Sequence, residues 1–148
     1  MTRASVKLRS KGPMLMNVPC DGGMYKNAQG VYMPAEWIKA ALRGAHEPTR
    51  KCSRDTFLTS VFVKPLEIPL GKDDCDEVHR SPVKIGHITV IRERPMFYWW
   101  EVTFDLEFEP TVIEAKSLKA LLEKAGTRGV GDWRPKFGRF TVTDFKVA

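Results

Sequence analysis

The chain has 148 residues, 43 % hydrophobic and 28 % charged, which is enough for one hydrophobic core and little for a second. No segment approaches the roughly 18 uncharged apolar residues of a membrane-spanning helix, and the N-terminus lacks the apolar core of a signal peptide, so we expect a single cytoplasmic domain. The net charge is +6, and residues 1–54 hold ten Lys or Arg against three Asp or Glu. That excess indicates a polyanionic partner or, alternatively, a surface charged only for solubility.

The first third of the chain predicts a strand, a long loop and a helix. Residues 4–9 alternate between apolar and polar side chains, as in a half-buried strand. Residues 11–30 are rich in Gly, Pro and Asn and form a loop, with residues 14–16 as its apolar anchor. Turns are expected at Gly12-Pro13, Asp21-Gly22-Gly23 and Gln29-Gly30. A helix starts at Pro34 and ends near residues 44–48.

The middle of the chain predicts an insertion followed by a hairpin. Residues 56–64 are β-branched and aromatic enough for an extra strand, and the following residues up to Pro82 are polar and interrupted by prolines. We therefore place an insertion at about residues 46–83. Residues 84–92 and 97–109 are predicted as two strands, joined by a turn at 93–96 that contains Pro95.

The last third predicts the remainder of an α+β domain. In the strand 97–109, Trp100 belongs to the core face and Trp99 to the opposite face. A helical stripe covers residues 112–125, with Gly126 as its C-terminal stop. The final strand is residues 137–147, and a change of apolar parity within it predicts a bulge near Asp144.

The predicted order is therefore strand, helix, strand, strand, helix, strand once the insertion is omitted. This βαββαβ arrangement is typical of ferredoxin-like and RRM-like folds, which are α+β sheets with helices on one face and an open face. The prediction adds an inserted loop and one extra strand to that sheet.

The segment between the last helix and the last strand, residues 126–140, has an unusual composition. Its four glycines allow close backbone approach to a ligand, and their amides could face phosphates. Trp133 and Phe137 offer stacking surfaces, which together with the cations favours binding to a nucleic-acid strand. The cations are Arg128, Arg134, Lys136 and Arg139. The alternative is a helix cap and turn with Trp133 packed in the core.

Two segments resemble a known superfamily. Residues 32–43, Tyr-Met-Pro-Ala-Glu-Trp-Ile-Lys-Ala-Ala-Leu-Arg, resemble the opening of the first helix in the repeat-associated RNA-binding (RAMP) superfamily of RRM-like CRISPR backbone subunits and nucleases. Residues 129–140 resemble its glycine-rich loop. Ala35, Glu36 and Trp37 depart from the superfamily's Gly-Ser-Ser run, and residues 132–135 interrupt its glycine spacing. Residues 13–17, 92–100 and 131–135 also resemble uncharacterised bacteriophage proteins.

The resemblance implies binding along a strand by repeated copies of a small subunit, in the host cytoplasm if the protein is viral. It implies that Lys39 and Arg43 of the first helix lie near the strand's backbone, together with Arg128, Arg134 and Arg139 of the glycine-rich segment. Trp99 is a further candidate, either for stacking a base or for a subunit interface.

Enzymatic and metal sites have little support in the sequence. His46, His79 and His87 lack a convincing acid or base partner, so each is expected to be solvated or structural. Residues 73–79 contain ligand types for a divalent metal, but their spacing fits no metal-binding loop. The three cysteines, Cys20, Cys52 and Cys75, are expected to be free thiols. We expect no catalytic residue, metal or cofactor.

The sequence thus predicts a noncatalytic protein that binds single-stranded DNA or RNA, with a head-to-tail homo-oligomer as its expected assembly. An alternative is a protein-interaction module that mimics a CRISPR backbone subunit and docks on an effector complex, as an inhibitor would. A third is an RNA-processing nuclease.

Overall fold

A computed structural model describes residues 1–16 and 25–148, which fold around a four-stranded antiparallel sheet with the order β10-β1-β9-β5. The strands of this sheet are β1 (Thr2–Ser10), β5 (Val61–Lys64), β9 (Glu101–Phe108) and β10 (Phe140–Val147). The helices are α1 (Ala35–Ala45), α2 (Arg54–Leu58) and α3 (Ala115–Arg128). Two three-stranded sheets contain β2 (Met14–Leu15), β3 (Lys26–Asn27), β4 (Gly30–Pro34), β6 (Glu67–Pro69), β7 (Glu77–Ile85) and β8 (Ile88–Phe97).

The central sheet is the predicted ferredoxin-like α+β sheet. Strands β1, β5, β9 and β10 together with α1 and α3 give the order strand, helix, strand, strand, helix, strand. In β1 and β9 alternate side chains are buried, because the helices cover only one face of the sheet. Trp100 is 3 % exposed and Trp99 is 75 % exposed, so the predicted parity is confirmed.

The identity of one sheet strand differs from the prediction. Of residues 56–64, predicted as an extra strand, only 61–64 form a strand, β5, which pairs with β9 in the central sheet, whereas residues 56–58 belong to α2. Residues 84–92, predicted as a strand of that sheet, instead include the turn between β7 and β8. Gly86 has a φ of +64° at this turn, which suits a two-residue hairpin connection. Pro95 lies inside β8 opposite Val78, and the predicted turn at 93–96 is wrong.

The predicted loop at residues 11–30 contains two short strands, β2 and β3, among its described residues. Met14, Leu15 and Met16 are fully buried, which confirms the apolar anchor. The predicted turn at residues 21–23 and Cys20 lie outside the described residues. Cys52 is a free thiol, and the part of the chain that the structure describes contains no helix that is long and apolar enough to cross a bilayer.

The end of α3 also lies beyond its predicted position. Gly126 lies inside the helix, because its missing side chain lets the carbonyl of Phe140 on β10 pass against it. The helix ends at Arg128, and Gly129, whose φ is +87°, caps it. The predicted bulge is confirmed: Lys7 pairs with Asp144 and Leu8 with Val142, which leaves Thr143 as the extra residue of β10.

Candidate nucleic-acid interface

The glycine loop, residues 129–139, is held by its own backbone and by β2. The N–H of Val130 donates to Gly138 O at 3.0 Å, and the N–H of Asp132 donates to Leu15 O at 2.8 Å. The N–H groups of Gly129 and Gly138 donate to Ala125 O and Pro13 O. The expectation that the glycine amides face phosphates is therefore wrong for these two residues, because their donors are used within the protein.

Close backbone packing explains why glycine is needed in this loop. Gly138 has a φ of +87°, and a Cβ there would lie 2.8 Å from the nitrogen and the carbonyl carbon of Val130. A Cβ on Gly131 would collide with the carbonyl oxygen of Leu15. These glycines let backbone segments touch one another, so any ligand must be met by the side chains that the loop presents outward.

The loop presents its exposed side chains between Trp133 and Lys136. Trp133 is 41 % exposed, so the alternative in which it packs in the core is not observed. The ammonium nitrogen of Lys136 lies 4.7 Å from the centre of the indole. Arg134 is exposed beside them, and Arg139 is exposed beyond Phe137, which packs against β2 and β8 and so does not offer the stacking surface expected of it. The loop therefore offers one aromatic ring and three cations to solvent.

An ion pair between the buried Arg94 and the half-buried Asp132 joins this loop to the hairpin of β7 and β8. Arg94 on β8 is 7 % exposed and donates from Nε to the carboxylate of Asp132 and from Nη1 to Ser81 Oγ at 3.2 Å. The His79 ring on β7 lies 5.6 Å from the Trp133 ring and 5.2 Å from the Phe137 ring. The base of the hairpin and the glycine loop thus form one surface, which we call the loop–hairpin surface.

The loop–hairpin surface is rich in positive charge. The base of the hairpin, residues 77–81 and 92–97, and the glycine loop together contain six Lys or Arg and three Asp or Glu. Asp132 is paired with Arg94, and Glu93 lies 3.5 Å from Arg80. Because its acids are few and two of them are paired, the surface can attract a polyanion.

The cations of β1, Arg3, Lys7 and Arg9, lie elsewhere, on the open face of the central sheet. Arg3 pairs with Glu107 at 3.0 Å, and Lys7 pairs with Glu101 at 2.7 Å. The Lys7 hydrogen bond holds the pKa of Glu101 below its ordinary value, and Arg3 does the same for the pKa of Glu107. Three of the ten cations of residues 1–54 therefore have acidic partners on β9.

The other predicted site residues lie on α1, at the end of α3 and beside β9. Lys39 borders a cleft of about 650 Å³ with Phe62 of β5, and its ammonium lies 4.9 Å from the centre of that ring. Arg43 borders a smaller cleft of about 260 Å³ that Lys39 also lines. Arg128 donates to the carbonyl of Gly44 and so links the C-terminal ends of α3 and α1.

Trp99 lines a separate shallow groove of about 300 Å³. Arg9, Lys72 and Glu101 border the same groove. Arg9 and Lys72 already have acidic partners, Glu101 at 3.4 Å and Asp76 at 3.3 Å. The structure thus brings Trp133, Arg134, Lys136 and Arg139 together on the loop, and places Trp99 in another groove.

The histidines and the acidic segment have contacts within the protein. The His46 ring stacks on Phe57 at 4.4 Å, and burial holds its pKa below the ordinary value. His87 is exposed in the hairpin turn. In the segment 73–79, Asp76 accepts from the N–H of Tyr98 at 2.8 Å, and Glu77 accepts from the Tyr98 hydroxyl. Among residues 1–16 and 25–148, no group of three or more His, Cys, Asp and Glu side chains is placed to hold a metal ion.

Arg94 and His79 are the site residues that sequence reasoning missed. Both were assigned to a turn or an insertion, although Ile-Gly-His-Ile at residues 85–88 is a glycine-containing turn flanked by β-branched residues. Extending the alternation on both sides of Gly86 places His79 opposite Arg94, as in the observed register. The pairing with Asp132 has no comparable signal, because it joins residues 38 positions apart.

Comparisons with known proteins give the fold. No protein family and no curated protein matches the chain. Among solved structures, the chain is similar to a chain of a Type III-B Cmr-beta complex bound to cognate target RNA, with a TM-score of 0.71 and 12 % identity. The match covers 99 % of this chain and 60 % of that chain, so the protein spans less than two thirds of its neighbour's length. The chain therefore shares the fold of that chain.

Proposed function

We propose that this protein is a noncatalytic subunit that binds single-stranded nucleic acid, with RNA as the first ligand to test, through the loop–hairpin surface. The observation that carries the proposal is the exposed Trp133 beside Lys136 on a surface whose nearest carboxylate, Asp132, is neutralised by Arg94. A ring that can stack a base and cations that can meet phosphates are what single-strand binding requires. The fold neighbour comes from an RNA-bound complex, which supports RNA ahead of DNA.

Binding to single-stranded RNA should weaken steeply as salt rises, because each phosphate contact releases counterions. We expect the double change Arg134→Ala with Arg139→Ala to lower affinity for every sequence alike and to reduce the salt slope by about one unit per lost contact. Fluorescence anisotropy with labelled single-stranded RNA, single-stranded DNA and duplex at two salt concentrations measures both effects.

A matched control is the double change Lys116→Ala with Lys119→Ala on the exposed side of α3, which removes the same charge away from the loop. This control variant should leave the salt dependence of RNA affinity near that of the unmodified protein. No binding of any strand at about 50 mM salt would refute the function. Loss of the folded circular dichroism spectrum in the arginine variant would show that these side chains are structural.

A second function, as a protein-interaction module, is favoured by the outer half of the β7–β8 hairpin. The register places Ile85 opposite Ile88 and Val83 opposite Val90, so these four side chains share one face. Ile85 and Ile88 are each 67 % exposed, and the base of the same face carries Arg94. A further copy of this chain, in a head-to-tail array along the strand, or a CRISPR effector complex would cover such a patch.

Ile88→Glu tests this second function. If the patch joins copies along a strand, the unmodified protein should bind long RNA in complexes that grow with strand length, and Ile88→Glu should limit them to isolated copies. Sedimentation velocity with RNA of two lengths measures the difference. The control is Thr89→Glu, which puts the same charge on the opposite face of the hairpin. If Ile88→Glu forms complexes that grow with strand length as those of Thr89→Glu do, the patch is excluded as a contact between copies.

A further inference from the structure

Trp133 has a backbone conformation that needs an explanation. Its φ is +55°, and it is the only non-glycine residue with a positive φ among residues 1–16 and 25–148. The left-handed region is unfavourable for a bulky side chain, so the surrounding structure must enforce it. The residue before it supplies the restraint: the Asp132 N–H donates to Leu15 O, and its carboxylate holds Arg94.

The two cations near the indole differ in burial. The guanidinium carbon of Arg94 lies 5.7 Å from the ring centre, and Arg94 is 7 % exposed. Lys136 lies 4.7 Å from the same centre and is exposed. Arg94 therefore belongs to the fixed inner side of the site, whereas the long Lys136 side chain can leave the ring without breaking an ion pair in the described part of the chain.

The remaining neighbours of the ring are aromatic. His79 lies nearly perpendicular to Trp133 at 72°, and Phe137 lies 5.6 Å from it. The Phe137 N–H donates to Trp133 O at 3.0 Å, which fixes the short segment between them. The indole is thus contacted by two rings and the buried Arg94, and its other cationic neighbour is the exposed Lys136, whose ammonium also lies 5.8 Å from the centre of the Phe137 ring.

From this geometry we propose that Trp133 is the stacking surface for one unpaired nucleobase, and that Arg94 and Asp132 are positioning residues that hold the indole in place. This inference rests on the proposed function and adds to it the mode of contact. When a base stacks on the exposed side of the ring, the Lys136 ammonium moves to an adjacent phosphate. The ligand is therefore a strand with accessible bases, and a duplex is excluded because its bases are already stacked.

The test compares a ten-nucleotide single-stranded RNA with an abasic strand of equal length and charge. The unmodified protein should prefer the base-containing strand by about 5-fold to 150-fold for one stacked base. Trp133→Ala should remove this preference and leave the salt slope unchanged, and Trp133→Phe should restore part of it. Trp99→Ala, at another exposed tryptophan, should keep the preference.

Asp132→Asn tests the positioning role, because it keeps the size of the side chain and removes its charge. It should lower affinity for the base-containing strand at least 5-fold and leave abasic binding unchanged. A second measurement uses Trp99→Phe protein, in which the base-containing strand should quench tryptophan fluorescence and the abasic strand should not. This measurement decides the question if Trp133→Ala fails to fold.

The outcomes distinguish failure of the stacking surface from failure of the proposed single-strand binding. If neither strand binds the unmodified protein, the proposed function fails and the inference fails with it. If both strands bind equally, or if Trp133→Ala retains the preference, the function stands and the stacking surface is wrong. If Asp132→Asn weakens both strands equally, the positioning role is wrong.

Discussion

Trp100→Ala is expected to lower the free energy of unfolding by roughly 3–5 kcal/mol, the range for removal of a large aromatic side chain from a core. The ring is 3 % exposed, lies 6.3 Å from the Phe140 ring and donates from Nε1 to Gly12 O at 3.3 Å. The change therefore leaves a cavity at the junction of β9, β10 and the segment after β1, and an acceptor without its donor.

Chemical denaturation followed by circular dichroism measures this loss. Trp99→Ala is the matched control, since the neighbouring indole is 75 % exposed and its removal should change stability by no more than about 0.5 kcal/mol. Comparable losses in the two variants would contradict the burial of Trp100. The pair also checks the alignment of the segment that leads into β9 with the end of β1, because a slip by one residue would exchange the two rings.

The sheet could be predicted because its strands bury one face only. The alternation in β1 and β9 is visible in the sequence, and the parity change in β10 indicated the bulge at its correct place. Of the strand expected at residues 56–64, only 61–64 are extended, and they belong to the central sheet rather than to an extra strand. Their four-residue pattern does not contain the information that β9 is their partner.

The hairpin could not be assigned from its residues alone because its two faces do not follow the usual pattern. Its apolar side chains are exposed at the tip, and its base buries Arg94 and Ser81. Because a strand is normally recognised by apolar side chains on its buried face, this sequence favours the prediction of a loop. The proline at position 95 strengthened that error, although it occupies a strand position.

The composition of the glycine loop predicted which side chains it exposes, but not how its backbone is held in place. The aromatic ring and the cations of the glycine loop were identified, and their exposure agrees with a binding surface. The role of the glycines differs from the expectation, because Gly131 and Gly138 serve contacts between backbone segments. Such contacts join β2, the loop and β8, which lie far apart in the chain. They therefore cannot be predicted from a local sequence motif.

Gly138→Ala should therefore be one of the most damaging small substitutions in the protein, with a loss of about 2–5 kcal/mol. About 1–2 kcal/mol of this comes from the left-handed backbone and about 1–3 kcal/mol from overpacking against Val130. Two other glycines separate these causes. Gly86 has a φ of +64° with open space around it, and Gly12 has open space and no positive φ.

Gly86→Ala is thus expected to cost only the backbone part, and Gly12→Ala close to nothing, when all three variants are compared by urea denaturation. The Gly138 variant should also lose affinity for single-stranded RNA under conditions where the sheet remains folded, because displacement of Val130 moves the loop that carries Trp133 and Arg134. The Gly86 variant should bind normally, since its glycine lies at the far end of the hairpin. A loss in Gly138→Ala no larger than that in Gly86→Ala would show that the loop accommodates the methyl group, and that its close backbone packing does not hold the binding surface.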